Sequence, residues 1–355
     1  MLAALAVIGV LAVVLVLAAV LSNPAHHGTV NHGTVNHGTV HVQPEVAFAL
    51  PPTTEGCGGA ATHSDGTIGF PVTVSTVDGQ VAEAVNVCFG GRGPFPFVLD
   101  TGAGQTTIDA HLAQRLHLAS DGSPSVFAGV GCTGKAQAVG SGSWSVEGVT
   151  LHPQQLVSAT LPQMGGAGEP VGLLGSDVWS RFGAIRLDFS AEMVVLPHSE
   201  GAPLAGSSSF AGPVGPTPTL LTQGAGDTVP ATVSPDAGNV SLSVPVRFGD
   251  GGPHMFTVDT GSSQSVVSAA VAGAERMAPT NQAQRQATVC SVITVPLVHG
   301  GAWTLPGVTL HPQLLGKVTF GAIGAGGVNG LLGSDQLVRF GWVVFDYAGA
   351  RLVLG

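Results

Sequence analysis

The tripeptide Asp-Thr-Gly occurs twice, at Asp100-Thr101-Gly102 and Asp259-Thr260-Gly261, 159 residues apart and each time at the end of an apolar run. More than the tripeptide repeats. Gly148-Val149-Thr150-Leu151-His152-Pro153-Gln154 returns unchanged as Gly307 to Gln313, and Gly172-Leu173-Leu174-Gly175-Ser176-Asp177 returns as Gly330 to Asp335. In both copies Arg-Phe-Gly follows, at Arg181 to Gly183 and Arg339 to Gly341. A period this long is a duplicated domain rather than a solenoid unit. A chain built this way folds into two similar halves, and two carboxylates at equivalent places can meet between them. Side by side, two such groups cannot both ionise cheaply, so one keeps its proton while the other serves as a base.

Short apolar runs punctuated by Gly, Asp and Ser begin near residue 66, as in half-buried strands. Gly 53 and Pro 24, with 9% charged residues, favour an all-β, turn-rich chain over a helical bundle. At 355 residues there is room for two cores. The formal charge of −10, with Lys135 and Lys317 as the only lysines, leaves no basic stripe for phosphates and argues against a nucleic-acid partner.

The expected organisation has five parts. Residues 1–22 are uncharged and almost wholly apolar, the length of a membrane-spanning helix or an export signal. Their length favours an uncleaved anchor, with the rest of the chain outside the cytoplasm. Residues 23–65 read as a stalk carrying three His-Gly-Thr-Val repeats. Its His26, His27, His32, His37 and His41 have no fixed geometry for a metal, so no metal or other cofactor is expected. The first lobe spans 66–196, a linker rich in Pro, Gly, Ser and Thr spans 197–235, and the second lobe spans 236–355. With both lobes in one chain, a monomer is expected.

Cys57, Cys88, Cys132 and Cys290 suit an oxidising address and lack paired short zinc spacing. The preferred pairing is Cys57 with Cys88 and Cys132 with Cys290, because the last two fall one residue from equivalent places in the repeat. Such a bridge would tie the halves together. Free buried thiols are the alternative.

The combination of the two tripeptides with Gly-Leu-Leu-Gly-Ser-Asp downstream resembles the aspartic peptidases over nearly everything from 66 to 355 apart from the linker. The short downstream element is similar to the retropepsin-like branch, and the duplication in one chain is similar to pepsin. The resemblance implies two acid-protease-type β lobes flanking a cleft, Asp100 and Asp259 as catalytic carboxyls, and an extended polypeptide as substrate. It implies that Gly102 and Gly261 let backbone amides reach the carboxylates, and that Thr101 and Thr260 cross the axis to bond the opposite loop. Leu173, Leu174 and Gly175, with Leu331, Leu332 and Gly333, would support the loops from behind.

One difference between the copies carries chemistry: Ser262 follows the second motif where Ala103 follows the first. A bond from the Ser262 hydroxyl to Asp259 would favour its charged form, leaving the proton on Asp100. The Gly-rich stretch Phe127 to Gly134, with Gly129, Val130 and Gly131 at its centre, is the candidate flap. Its counterpart, Thr280 to Val292, has no glycine, so a single flap is expected. His152 and His311 have no serine motif to serve and read as turn residues. Asp177 and Asp335 precede Arg181 and Arg339 by four residues, the spacing of a helical ion pair. An inactive peptidase fold acting as an envelope binding or scaffold module is the rival reading.

Overall fold

The computed structural model describes residues 56–355 except 60, 65, 78–79, 121–124, 163–168, 198–220, 222–225, 237–238 and 321–327. The apolar segment 1–22 and the histidine repeats of the stalk lie outside the described residues, as does most of 197–235. Among the described residues no helix is long and apolar enough to cross a membrane.

Each half builds its own sheet. In the first, Gln80–Phe89 alternates buried and partly exposed positions before becoming wholly buried, the signature of a strand with one face on a core. It turns through Gly90 and Gly91, at φ of 56° and 75°, into Arg92–Asp100. Two consecutive positive φ values are what a tight hairpin demands and side chains resist. Arg92–Asp100 then pairs in parallel with Gly172–Gly175, with Leu173 opposite Val98 and Gly175 opposite Asp100. The second half repeats the arrangement. Asn239–Phe248 pairs antiparallel with His254–Asp259, which pairs in parallel with Gly330–Gly333 so that Gly333 lies opposite Asp259.

A third sheet joins the halves. Ala184–Asp188 lies antiparallel to Trp342–Asp346, with Arg186 opposite Val344, and strands from either half extend it outward. Its far edge is Asp227–Pro230, and Thr232–Asp236 pairs with Asn239–Phe248. Both strands lie largely within the span expected to be linker; backbone pairing recruits them despite weak periodicity. At the other end Thr62–Ser64, expected in the stalk, pairs with Thr67–Pro71.

One apolar core runs through both halves and includes Phe97, Leu99 and Leu174 from the first with Phe256, Val258 and Leu332 from the second. Because side chains alternate along a strand, Val98 and Leu173 face the opposite way, the way Asp100 faces. They belong to a separate cluster with Ala103, Phe127, Leu161 and Val289. Leu331 and Val266 do the same in the second half, with Val130 and Val295. The four leucines therefore split: Leu174 and Leu332 back the loops, whereas Leu173 and Leu331 line the side where the carboxylates lie.

The repeated segments touch one another, which explains why both copies keep them together. The Trp144 indole donates to the His152 carbonyl at 2.9 Å and Trp303 to His311 at 2.8 Å. Each tryptophan also stacks on a phenylalanine, Phe89 or Phe248, at 5.8 Å between centroids. Gln154 Nε2 donates to Asp177, and Gln313 Nε2 to Asp335. Both aspartates are buried and hold loop hydroxyls, Asp177 that of Thr106 at 2.7 Å and Asp335 that of Ser265 at 2.7 Å. In the second half the expected side-chain ion pair is not how the arginine bonds: Arg339 Nε donates to the main-chain oxygen of Asp335.

Candidate active site

Asp100 and Asp259 each sit where a buried strand ends in a loop, and the loops face each other. The position of the glycines measures how close they come. A Cβ at Gly102 would lie 2.2 Å from Cγ of Asp259, and one at Gly261 would lie 2.3 Å from Cγ of Asp100. Only glycine leaves room for the carboxyl of the opposite half. Gly175 and Gly333 are under a similar constraint, since a Cβ would fall 2.8 Å from the Ala103 carbonyl and 2.6 Å from that of Ser262.

Threonine hydroxyls lock the loops together. Thr101 N–H donates to Thr260 Oγ1 at 3.0 Å and Thr260 N–H to Thr101 Oγ1 at 3.1 Å. Each hydroxyl passes its own hydrogen to the opposite strand, Thr101 to the Val258 carbonyl at 2.9 Å and Thr260 to that of Leu99 at 2.6 Å. Main-chain bonds repeat the exchange further out: Val81 N–H donates to Ser263 O at 3.2 Å, and Val240 N–H to Gly104 O at 3.1 Å.

The two carboxyls lie within hydrogen-bonding reach of one another, and both are fully buried. Their Oδ2 atoms find no other donor among the described residues. Two buried carboxyls this close cannot both ionise cheaply. Burial pushes Asp100 up to about 7, opposed by the Ala103 amide, the Asp259 carboxyl and the Gly102 amide. Burial, then the charge of Asp100, pushes Asp259 well above the ordinary carboxylate range.

The contact on which the expected charge assignment rested is not made. Ser262 does not turn its hydroxyl to Asp259; it donates to the Gln264 carbonyl at 2.7 Å and offers Asp259 only its main-chain N–H, at 3.1 Å. Asp100 Oδ1 accepts two amides, from Gly102 at 3.0 Å and Ala103 at 2.8 Å. Both carboxyls are thus held by amides of their own loops, Asp100 by those of Gly102 and Ala103 and Asp259 by those of Ser262 and Gly261.

The expectation of one flap is also corrected. Ser125–Gly129 and Cys132–Gly140 form one hairpin, and Pro279–Ala287 and Val292–His299 form another. Gly131 turns the first at φ 68°. The second turns without glycine because Thr288 does the work: its N–H donates to Ser291 O at 2.7 Å, and its Oγ1 accepts Ser291 N–H at 3.1 Å. The tips cross. Val289 is buried in the cluster containing Val98 and Leu173 of the first half, and Val130 in that containing Val266 and Leu331 of the second. Gly129 lies so close that a Cβ there would meet Val289 Cγ1 at 2.5 Å. Cys132 and Cys290 are joined by a disulfide at these tips, and Cys57 bonds to Cys88.

Behind each loop stands a serine that sequence reading treated only as part of a repeat. Ser176 Oγ donates to the Thr101 carbonyl at 2.7 Å and meets Tyr347 Oη at 2.7 Å. Ser334 Oγ lies 3.2 Å from the Thr260 carbonyl and 2.9 Å from Oε2 of Glu83. The available signal for Glu83 was an acidic residue inside an apolar strand. Beside the second loop a cavity of about 640 Å³ is lined by amides, among them Gln80, Gln264, Gln284 and Gln313. Among the described residues no cluster of three His, Cys, Asp or Glu could hold a metal ion.

Residues 85–178 match the model of a family described as aspartyl protease. No curated protein matches the chain. Among solved structures the chain is similar to an aspartic proteinase from Irpex lacteus, at 13% identity over 81% of this chain and 97% of that one, with a TM-score of 0.44. It is similar also to Basic 7S globulin from soybean, at 13% identity, 81% and 94% coverage and a TM-score of 0.38. Conglutin gamma, a basic 7S globulin from lupine seeds, gives 12%, 82% and 95%, with a TM-score of 0.41.

Proposed function

We propose that the chain is an aspartic endopeptidase with both catalytic carboxyls in one polypeptide, pepsin-like in its duplication and retropepsin-like in the short element downstream of each carboxyl. The observation that carries this reading is the reciprocal packing of Gly102 on Asp259 and Gly261 on Asp100, which brings two buried carboxyls together. Ionised Asp100 takes a proton from a water held between the pair, the water attacks the peptide carbonyl, and Asp259 gives its proton to the carbonyl oxygen. The dyad then protonates the leaving amine. The chemistry uses no covalent intermediate.

The substrate is an extended polypeptide, gripped between the loops and the two hairpins, and one chain acts as a monomer. Two disulfides favour work outside the cytoplasm. The apolar residues 1–22 would fix the chain to a membrane if retained. The burial of the dyad, with both tips tied, favours a second reading, a binding module that never turns over.

Incubating the oxidised full chain with a peptide library between pH 4 and 9 separates the two. Cleavage that pepstatin inhibits and Asp100→Asn abolishes supports the peptidase. Peptide binding without cleavage at every pH supports the module.

A further inference from the structure

The serines behind the loops are supported by different residues, and in each case the support comes from the other half. Ser176, in the first half, meets the hydroxyl of Tyr347, near the end of the second. Ser334, in the second half, meets the carboxyl of Glu83, on the strand Gln80–Phe89 of the first. Each serine in turn faces the carbonyl of a catalytic-loop threonine, Thr101 or Thr260. Glu83 thus occupies, in the second loop's support, the place that a tyrosine hydroxyl holds in the first.

A serine hydroxyl has one hydrogen to give. Ser176 can give it to Thr101 because Tyr347 can donate to Ser176. Ser334 can give its hydrogen to Thr260 only if Glu83 donates as well, which requires a protonated carboxyl. An ionised Glu83 would accept that hydrogen and draw it away from the loop. Its surroundings favour the acid form: Glu83 has no exposed surface, and its Oε1 has no partner. The titratable groups on the segments packed around it are Asp100, at the near end of Arg92–Asp100, Asp335 in the short helix Ser334–Leu337, Glu147, whose carboxyl accepts the Asn86 amide at 2.7 Å, and Arg92. Arg92 sits at the far end of its strand and donates to the carbonyls of Arg115 and Leu116.

We infer that Glu83 is a positioning residue of the second catalytic loop, held as a neutral carboxylic acid that donates to Ser334 so that Ser334 can hold the Thr260 carbonyl. Burial, the largest effect, pushes its proton affinity up to about 8 from an ordinary 4.5. The unfolded chain releases this proton above 4.5 while the folded chain keeps it, so the contribution of this site to stability falls as pH rises from 4.5 to about 8. The effect of Glu83 on turnover rests on the peptidase reading; its protonation does not.

Two substitutions in the oxidised full chain test this. Glu83→Gln keeps a donor at every pH and cannot ionise, whereas Glu83→Leu removes the donor. Urea unfolding between pH 5 and 9 is expected to show Glu83→Gln gaining on the wild type as pH rises. In peptide hydrolysis, Glu83→Gln should keep kcat within about threefold and move the alkaline limb upward, while Glu83→Leu should lower kcat about tenfold, the loss expected from one buried hydrogen bond. A stability difference between wild type and Glu83→Gln that is flat with pH, or grows on acidification, overturns the inference. If no form cleaves peptide, the peptidase reading fails and the unfolding series still decides the protonation of Glu83. If Glu83→Leu does not fold, Glu83→Gln alone decides.

Discussion

The two halves repeat the same loop, but they treat its carboxylate differently. In the first, Asp100 receives two amides and its supporting serine is met by a tyrosine. In the second, the Ser262 hydroxyl turns away to Gln264, and the supporting serine is met by a buried acid. Duplication gives a pair of equivalent positions, and equivalence is unhelpful for acid-base work, which needs one group charged and the other protonated. In the proposed mechanism small departures from symmetry, in side-chain hydrogen bonding and in buried neighbours, assign the roles.

The largest effect expected is from the dyad itself. Asp100→Asn or Asp259→Asn should each lower kcat by about 1,000-fold, within the range for general acid-base catalysis. Matched losses in two single variants would show that the pair acts as a unit. If either variant kept near-full activity, the two-carboxyl mechanism would be broken.

Next is the pair of crossing hairpins. The Cys132–Cys290 bridge spans 158 residues, and its loss is expected to cost about 2–5 kcal/mol of stability. Opening it with Cys132→Ser and Cys290→Ser together should also admit water to the dyad. Since burial is the leading cause that raises Asp100, its proton affinity should fall and the acid limb of the rate profile should move below pH 7. A pH–rate comparison with the oxidised chain reads this shift, and an unmoved limb would mean that the hairpins do not shield the carboxyls.

The threonine exchange comes third. Thr101→Val leaves the Thr260 amide without its acceptor and should destabilise the fold by about 2 kcal/mol, the cost of an unpaired buried donor. Thr260→Val should do the same to the Thr101 amide. Equal losses on denaturant unfolding fit the reciprocal geometry, while a loss on one side only would show that one half carries the lock.

The smallest effect sharpens the comparison most. Ser262→Ala should leave the pH profile nearly unchanged, because that hydroxyl serves Gln264 rather than Asp259. A shift of the acid limb by a full pH unit would restore the role that sequence alone suggested for Ser262.

What could be read in advance divides along the same line. The pairing of Asp100 with Asp259 follows from the repeat, and the glycines pressed against them and the crossing threonines from the family resemblance, both visible without coordinates. Departures from the repeat are not. Glu83 stands where the second half has Leu242, and Tyr347 where the first half has Phe189, so neither could be recognised by comparing the copies. The second hairpin escaped because its turn is made by the Thr288 side chain, and the absence of glycine there was misleading. Strand Asp227–Pro230 escaped because it takes its order from pairing with Arg351–Leu354 at a sheet edge, not from its own pattern.

Neutron diffraction from crystals of the oxidised chain at neutral pH tests the shared-proton dyad most directly. The account predicts facing carboxyl oxygens within hydrogen-bonding reach and a single proton between them, bonded to Asp259. Carboxyls standing apart, each deuterated or each bare, would contradict it.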